Sequence, residues 1–412
     1  MLAKLVRDGQ LVATDHDGRS YTYGDPAAEP VRIRLTDKRA AWHIARDPRV
    51  GAGEAYMDGR LVVEPPHDIR DMILLVIGNS KRPGSNLKRR NRLKNLLNPV
   101  ISRLDQINLR GRAANNVVHH YGLTREFYEM FLDEDRMYSM AYYRDPANSL
   151  ERAQLDKKAL IAAKLRLGAG MRVLDIGCGW GSFGLYLNRH YGCEVLGVSL
   201  APDQVAFANE RAEAAGVSDK VRFKLLDYRD VEGRFDRISS IGMIEHLGKA
   251  HYDEYFGKTR ALLADDGVML THTIGRTKPK GGTDAWNRKY IFPGHFLPSS
   301  SELSAAAERS GWEIADLEVL RYHYAYTLAE WYRRACQHQK EITALYDARF
   351  FRMWQFYLAG AEQGFRLGSM VNYQLQTITR RTAVPSTRDY IETEALRLSG
   401  LDQSPVPGTS PT

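Results

Sequence analysis

The chain has 412 residues, 43% of them hydrophobic, and a formal net charge of +8 from 58 Lys and Arg against 50 Asp and Glu. That length exceeds the usual single domain, so two domains are expected, with enough apolar content for a large core. No apolar run approaches the roughly 18–20 residues of a membrane span, and the start, Met1 to Asp8, lacks the apolar region of a signal peptide, which argues against export. Cys178, Cys193 and Cys336 show no Cys-x-x-Cys spacing and the histidines are scattered, which argues against a disulfide framework and any metal site.

Residues 1 to about 80 mix short strand-like runs, Val31 to Leu35 and Arg60 to Val63, with helical ones. They end at Lys81 to Lys94, which carries seven basic residues and no acid. Nucleic acid or anionic lipid would satisfy such a stretch. It has no aromatic among its cations, as a single-stranded nucleic acid site would, so lipid is favoured. Residues from about 115 to 165 read as helical, with a break from Tyr138 to Pro146.

From Met171 strands and helices alternate. The run Val173-Leu174-Asp175-Ile176-Gly177-Cys178-Gly179-Trp180-Gly181-Ser182 is an apolar strand ending in a glycine turn that opens a helix, so backbone can approach a ligand there. A phosphate-cradling loop needs Gly-Lys-Ser/Thr and a dinucleotide turn needs Gly-x-Gly-x-x-Gly. Here the spacing is Gly177-x-Gly179-x-Gly181 after Asp175, which suits a nucleotide cofactor without a pyrophosphate. S-adenosylmethionine (SAM) is the natural candidate.

A second strand, Glu194 to Ser199, precedes a helix opened by Ala201-Pro202-Asp203-Gln204. Its end is where doubly wound sheets hold a ribose, which makes Ser199, Leu200 and Gln204 candidate contacts; a helix cap with a surface glutamine is the alternative. A third strand, Val221 to Leu226, ends at Asp227, an acceptor for an adenine amino group, and Tyr228, an aromatic able to stack on the base. A fourth, Phe235 to Ile241, runs into Gly242-Met243-Ile244-Glu245-His246, so four strand ends converge on one crevice.

A fifth strand, Val268 to Ile274, is followed by a Gly/Pro/Lys loop and an aromatic segment, Trp286 to Phe296. After them come a helix, a strand near Trp312 to Val319, two long amphipathic helices from about Tyr326 to Leu367, and a strand-like run Val371 to Thr379. The expected class is α/β: a doubly wound, Rossmann-like SAM-binding domain over 115–395, a smaller N-terminal domain over 1–114, and a disordered tail over 396–412.

At this point the chain resembles the cyclopropane-fatty-acyl-phospholipid synthases and their mycolic-acid relatives. The similar stretches are His120-Tyr121, Tyr138 to Tyr143, the Gly-Cys-Gly-Trp-Gly turn, Ile244-Glu245-His246, Thr271 to Gly275, Tyr290 to Gly294, Leu297-Pro298-Ser299 and Tyr324 to Leu328. In the first domain, Gly53 to Gly59 is similar to the family's N-terminal segment. The resemblance implies transfer of a methyl carbon from SAM to a cis double bond of a lipid acyl chain. It implies further that Tyr138 and Ser139 touch SAM and that Tyr121 lines the pocket. A bound bicarbonate that removes a proton would be held by Glu245, His272, the Ile274 backbone and Tyr324.

One position departs from the family pattern: Met140 stands where a cysteine beside the bicarbonate is usual. Methionine lacks the S–H donor, adds bulk and does not ionise. With the anion retained the product is a ring; with it excluded, a methyl- or methylene-branched chain. The expected partners are unsaturated phospholipid acyl chains at an anionic membrane surface, with the protein cytoplasmic and peripheral to the inner face; a homodimer is compatible. A nucleic-acid methyltransferase is the rival from another substrate class. Against it, no Asn/Asp-Pro-Pro-aromatic motif follows the fourth strand, where Gly242 to His246 stands, so no nucleic acid is expected.

Overall fold

A computed structural model describes residues 6–47, 50–80, 123–279 and 284–402. The basic stretch 81–94 and Tyr121 lie outside them. The chain divides into two compact units, and the division is not the simple boundary expected near residue 114: the first unit also takes residues 284–293 and Leu328–Ser369.

In the first unit, β1 (Gln10–Thr14) pairs antiparallel with β2 (Ser20–Gly24) and parallel with β3 (Pro30–Leu35), and β4 (Leu61–Val63) closes the far edge of β3. Asp15 shapes the β1–β2 turn by accepting from the amides of Asp17 at 3.0 Å and Arg19 at 2.9 Å. Sequence alternation predicts β3 and β4 but not β2, because no residue of β2 is buried and so no apolar face marks it.

The expected pair of long helices is three, His323–Gln337, Gln339–Leu345 and Ala348–Arg366. The last begins where the Asp347 carboxylate accepts from the Phe350 amide at 2.6 Å, which satisfies an otherwise orphaned helical N–H. It packs on the Gly51–Met57 and Ile69–Ser80 helices. Its Glu362, 1% exposed, is held bidentately by Arg70 at 2.8 Å and 2.8 Å and by Arg366 at 2.8 Å, so the buried charge is fully paired. Gly53 has to be glycine, since a Cβ there would lie 2.5 Å from the Trp286 indole nitrogen.

The second unit is built on a seven-stranded sheet in the order β10-β11-β9-β8-β5-β6-β7. Its strands are β5 (Arg172–Ile176), β6 (Glu194–Ser199), β7 (Val221–Leu225), β8 (Phe235–Ile241), β9 (Leu263–Arg276), β10 (Glu313–Leu320) and β11 (Met370–Ile378). β5 to β9 are parallel, and β11 is inserted antiparallel between β9 and β10. This is the doubly wound methyltransferase fold. Leu174 and Ile176 enter one core cluster with Ile238 and Met269, whereas Val173 enters another with Val195 and Phe223, as the two-residue period of a strand buried on both faces requires. Strand order reverses between β5 and β8, which opens the crevice at the carboxyl ends of the strands.

The disordered tail expected over 396–412 is corrected for residues 396–401, which are helical. The Asp389–Leu401 helix runs through that point and packs on the Leu150–Leu165 helix, burying Ile391, Ala395 and Leu398.

Candidate active site

The glycine turn closes β5. Gly177, Gly179 and Gly181 all have left-handed φ, 80°, 52° and 81°, a region that favours glycine. The three are not equivalent. A Cβ on Gly181 would meet the Ala208 Cβ at 2.7 Å and one on Gly177 the Met243 Cβ at 3.2 Å, but one on Gly179 meets nothing within 4 Å. Gly179 is therefore the bare face of the turn, open to a ligand. Asp175, 2% exposed, accepts from Ser239 Oγ at 2.7 Å, and burial pushes its carboxyl up to about 6.

The two strand ends beside it are less alike. Ser199 and Leu200 are half-buried at the end of β6, and the Ser199 hydroxyl accepts from the Ala201 amide at 3.2 Å. Gln204, in the first turn of the Pro202–Ala214 helix, is 5% exposed and so not a surface glutamine. The Asp227 carboxylate accepts from its own neighbour Arg229, at 2.9 Å from Nε and 3.0 Å from the amide. Tyr228 packs edge-on against Tyr255 in the apolar core, ring centroids 5.7 Å apart.

Tyr138 and Ser139 are tied to this turn through Asp135. Its carboxylate accepts from Arg211 Nη2 at 2.6 Å and from Lys158 Nζ, and its carbonyl accepts from Ser182 Oγ. The same Arg211 donates to the Trp180 carbonyl at 3.2 Å and to Ser182 Oγ at 2.8 Å. Tyr128 stands edge-on to both Tyr138, at 5.5 Å, and Trp180, at 5.8 Å. Ser139 Oγ accepts at 2.8 Å from Lys157 Nζ, a fully buried ammonium that burial pushes downward while Asp133 holds it up.

Glu245 lies in the short turn Ile244–His246 after β8, 2% exposed. Its carboxylate accepts from Thr273 Oγ1 at 2.7 Å and from the Ile274 amide at 3.4 Å. Hydroxyl and amide donors do not offset the loss of water, and burial pushes this carboxyl up to about 7.

His272, 1% exposed, faces Gln374 across the β9–β11 pair. Gln374 Nε2 lies 3.1 Å from Nδ1, and Asn372 Nδ2 lies 3.2 Å from Nε2. Gln374 has no freedom to turn over, because its Oε1 accepts from Lys164 Nζ at 2.7 Å. Its NH₂ group must then donate to Nδ1, which assigns the ring hydrogen to Nε2 from the network. The buried Asn372 Oδ1 has no partner in the orientation drawn, and turning that amide over would pair it with Nε2–H. Burial, Lys157 and Lys164 push His272 well below its usual value, so the ring is neutral.

Met140 is completely buried. The residues after it are sewn to the start of the His323–Gln337 helix, Ala141 N donating to Thr327 Oγ1 at 3.0 Å and Tyr143 N to His323 Nδ1 at 3.1 Å. Those two bonds flank Tyr324, 6% exposed. The structure thus joins Glu245 to the Ile274 amide, and it secures the segment that follows Met140 to the helix that carries Tyr324. Lys157, Lys164, Asn372 and Gln374 went unseen in the sequence, though the alternation Asn372-x-Gln374-x-Gln376 in a buried strand is a legible sign of a polar ladder.

The family model described as mycolic acid cyclopropane synthetase matches residues 109–375. The cyclopropane-fatty-acyl-phospholipid synthase of Escherichia coli K12 is 34% identical over 84% of this chain and 87% of its own. The chain belongs to this family. It is also 38% identical to the "Probable fatty acid methyltransferase" of Pseudomonas putida, over 64% of this chain and 69% of that one. A solved mycolic acid cyclopropane synthase, CmaA1 in complex with SAH and CTAB, is 31% identical with a TM-score of 0.61, covering 64% of this chain and 98% of that one. The protein is a SAM-dependent methyltransferase acting on lipid, and SAM is its methyl donor. The open face of Gly179, in the turn that follows the strand carrying buried Asp175, fits that donor. No described helix is long and apolar enough to cross a membrane.

Proposed function

We propose that the enzyme methylates the cis double bond of an unsaturated phospholipid acyl chain and closes a cyclopropane ring. The observation that carries this reading is the buried, near-neutral Glu245 beside the Ile274 amide and the neutral, oriented His272. The site residues expected from the sequence are assigned on the same footing: Tyr138, Ser139, Asp175, Gly177, Gly179, Gly181, Ser199, Leu200 and Gln204 hold SAM, which supplies an electrophilic sulfonium methyl. Asp227, already paired with Arg229, keeps lone pairs for an adenine amino group, and Tyr228 backs it from the core.

An alkene is a weak nucleophile, so this chain's contribution is alignment in a dry site. The Asp135 staple fixes Tyr138 and Ser139 over the glycine turn, and completely buried Met140 excludes water behind them. A C–C bond forms as the methyl–sulfur bond breaks. The methyl carbon then releases a proton and its electron pair closes the ring. The Ile274 amide and the Tyr324 hydroxyl, joined by the His272 Nε2–H where Asn372 releases it, are donors suited to hold a bicarbonate ion, which would supply the base. Glu245 can keep a proton beside such an anion near neutral pH, so the two negative charges need not coexist.

A second reading, a methyl-branched product, is favoured by one observation. Met140 places a bulky side chain without a hydrogen-bond donor where the family's cysteine stands. Purified enzyme given unsaturated phospholipid vesicles and SAM should yield acyl chains heavier by one CH₂ with ring protons in the NMR spectrum. Product lacking those protons contradicts ring closure.

A further inference from the structure

The Lys38–Arg46 helix of the first unit, Lys-Arg-Ala-Ala-Trp-His-Ile-Ala-Arg, is short, basic and shallowly set: only Ala40 of its nine residues is buried. Asp37 caps it, accepting from the Ala40 amide at 2.7 Å. Trp42 stands 63% exposed, with the Arg46 guanidinium 5.0 Å from its ring centroid. An indole held in water beside a cation is what a membrane–water boundary accommodates, apolar ring inward and charge at the headgroups.

The helix forms one wall of an open pocket of about 640 Å³ lined by Arg39, Trp42, His43, Arg46, Asp47 and Arg60. Its floor is internally satisfied: His43 Nε2 lies 2.8 Å from Glu54, and Arg60 pairs with Asp58 at 2.8 Å and reaches His43 Nδ1 at 3.3 Å. The rim is not. Among the described residues neither Arg39 nor Arg46 has a carboxylate partner, and Asp47 is the lining's one acid. Arginine offers planar, bidentate donors to phosphate.

We propose that this pocket docks the phosphodiester headgroups of an anionic phospholipid surface, Arg39 and Arg46 taking phosphate and Trp42 seating at the headgroup boundary. The inference rests on the reading that the substrate is membrane phospholipid, and it assigns the contact to the Lys38–Arg46 helix rather than to residues 81–94.

Co-sedimentation of the full chain with vesicles of phosphatidylglycerol and phosphatidylcholine tests it, with vesicles of phosphatidylcholine alone as reference. The Arg39→Gln/Arg46→Gln double variant should bind the anionic vesicles roughly tenfold or more weakly, and added salt should narrow the difference. Trp42→Ala should weaken vesicle binding as well, with SAM affinity serving as the check on folding. Anionic-vesicle binding equal to wild type in the double variant overturns the proposal. So does a loss seen only when Lys88, Arg89 and Arg90 become Gln, or a loss confined to binding of an RNA oligonucleotide. Wild-type methyl transfer to unsaturated phospholipid in neutral detergent micelles reports separately on the functional reading, since micelles present no anionic surface.

Discussion

Gln374 holds His272 by donating to Nδ1 at 3.1 Å while its own carbonyl accepts from the buried Lys164 ammonium at 2.7 Å. The chain Lys164–Gln374–His272 has one consistent direction of donation, and it leaves the His272 hydrogen on Nε2. Gln374→Leu removes that constraint at similar volume. It should lower kcat roughly tenfold, the effect of about 1–2 kcal/mol from a buried partner left unpaired, with SAM affinity near wild type. Gln374→Glu places a carboxylate against Nδ1, raises the His272 pKa and should add an acid limb to the kcat–pH profile that wild type lacks. Identical profiles in wild type and Gln374→Glu would show that this contact does not set the protonation of His272.

Glu245, pushed up to about 7, should shape the pH response together with Asp175, pushed up to about 6, and Lys157, pushed down to about 7. Its carboxyl is protonated below about 7 and ionised above, so turnover should change through that value, and Glu245→Gln should flatten the profile and depress kcat with SAM binding retained. Neither His246, pushed to about 4, nor His272, pushed lower than its usual value, titrates there. A profile of unchanged shape in Glu245→Gln would assign the limb to another group.

The same residue predicts a stability effect with a definite sign. A buried acid whose folded pKa lies above the unfolded one costs nothing when both states are protonated, and destabilises the fold as pH rises from the unfolded value toward the folded one. With 4.5 rising to about 7, Glu245→Gln should gain stability relative to wild type across that window, by about 2–4 kcal/mol at its upper end. Denaturant melts at pH 5 and pH 8 read it. A constant difference between wild type and variant at the two pH values would contradict the shift.

Gly179 and Gly181 separate binding from folding. Gly181→Ala should destabilise the domain, because its Cβ has to displace Ala208 and Phe223. Gly179→Ala meets only open space and costs about 1–2 kcal/mol for its left-handed backbone. Calorimetry should show SAM affinity greatly reduced in a folded Gly179→Ala. Wild-type affinity in that variant would place the donor elsewhere.

Much of the second unit was legible because its strands announce themselves. β6 and β8 start and stop at Glu194, Ser199, Phe235 and Ile241, as their apolar runs and following turn residues predict. The glycine turn was legible for the same reason, its three glycines closing an apolar strand, and the structure gives all three left-handed φ. β2 was not, having no buried face, and the units interleave because residues 284–293 and Leu328–Ser369 join the first through packing that no local pattern encodes. Lys157, Lys164 and Gln374 read as surface residues by type. They are buried because each has a specific partner, Ser139, Glu318 or His272, far along the chain, and such pairing is visible only in three dimensions.

Met140 decides what the cage can still do. If its thioether crowds a working anion site, wild type should respond to added bicarbonate and Met140→Cys, with a smaller side chain that can donate, should turn over faster. No bicarbonate response in either protein would remove the anion from the mechanism.

The most direct test of ring closure uses SAM carrying a fully deuterated methyl group and an unsaturated phospholipid. Mass spectrometry of the product counts the deuterium. Ring closure requires the transferred carbon to give up one of its three deuterons, so the account predicts product retaining two, with ring protons in the NMR spectrum of an unlabelled sample. Product retaining all three would mean that the proton left from the acyl chain, and would contradict cyclopropane formation while leaving lipid methyl transfer in place.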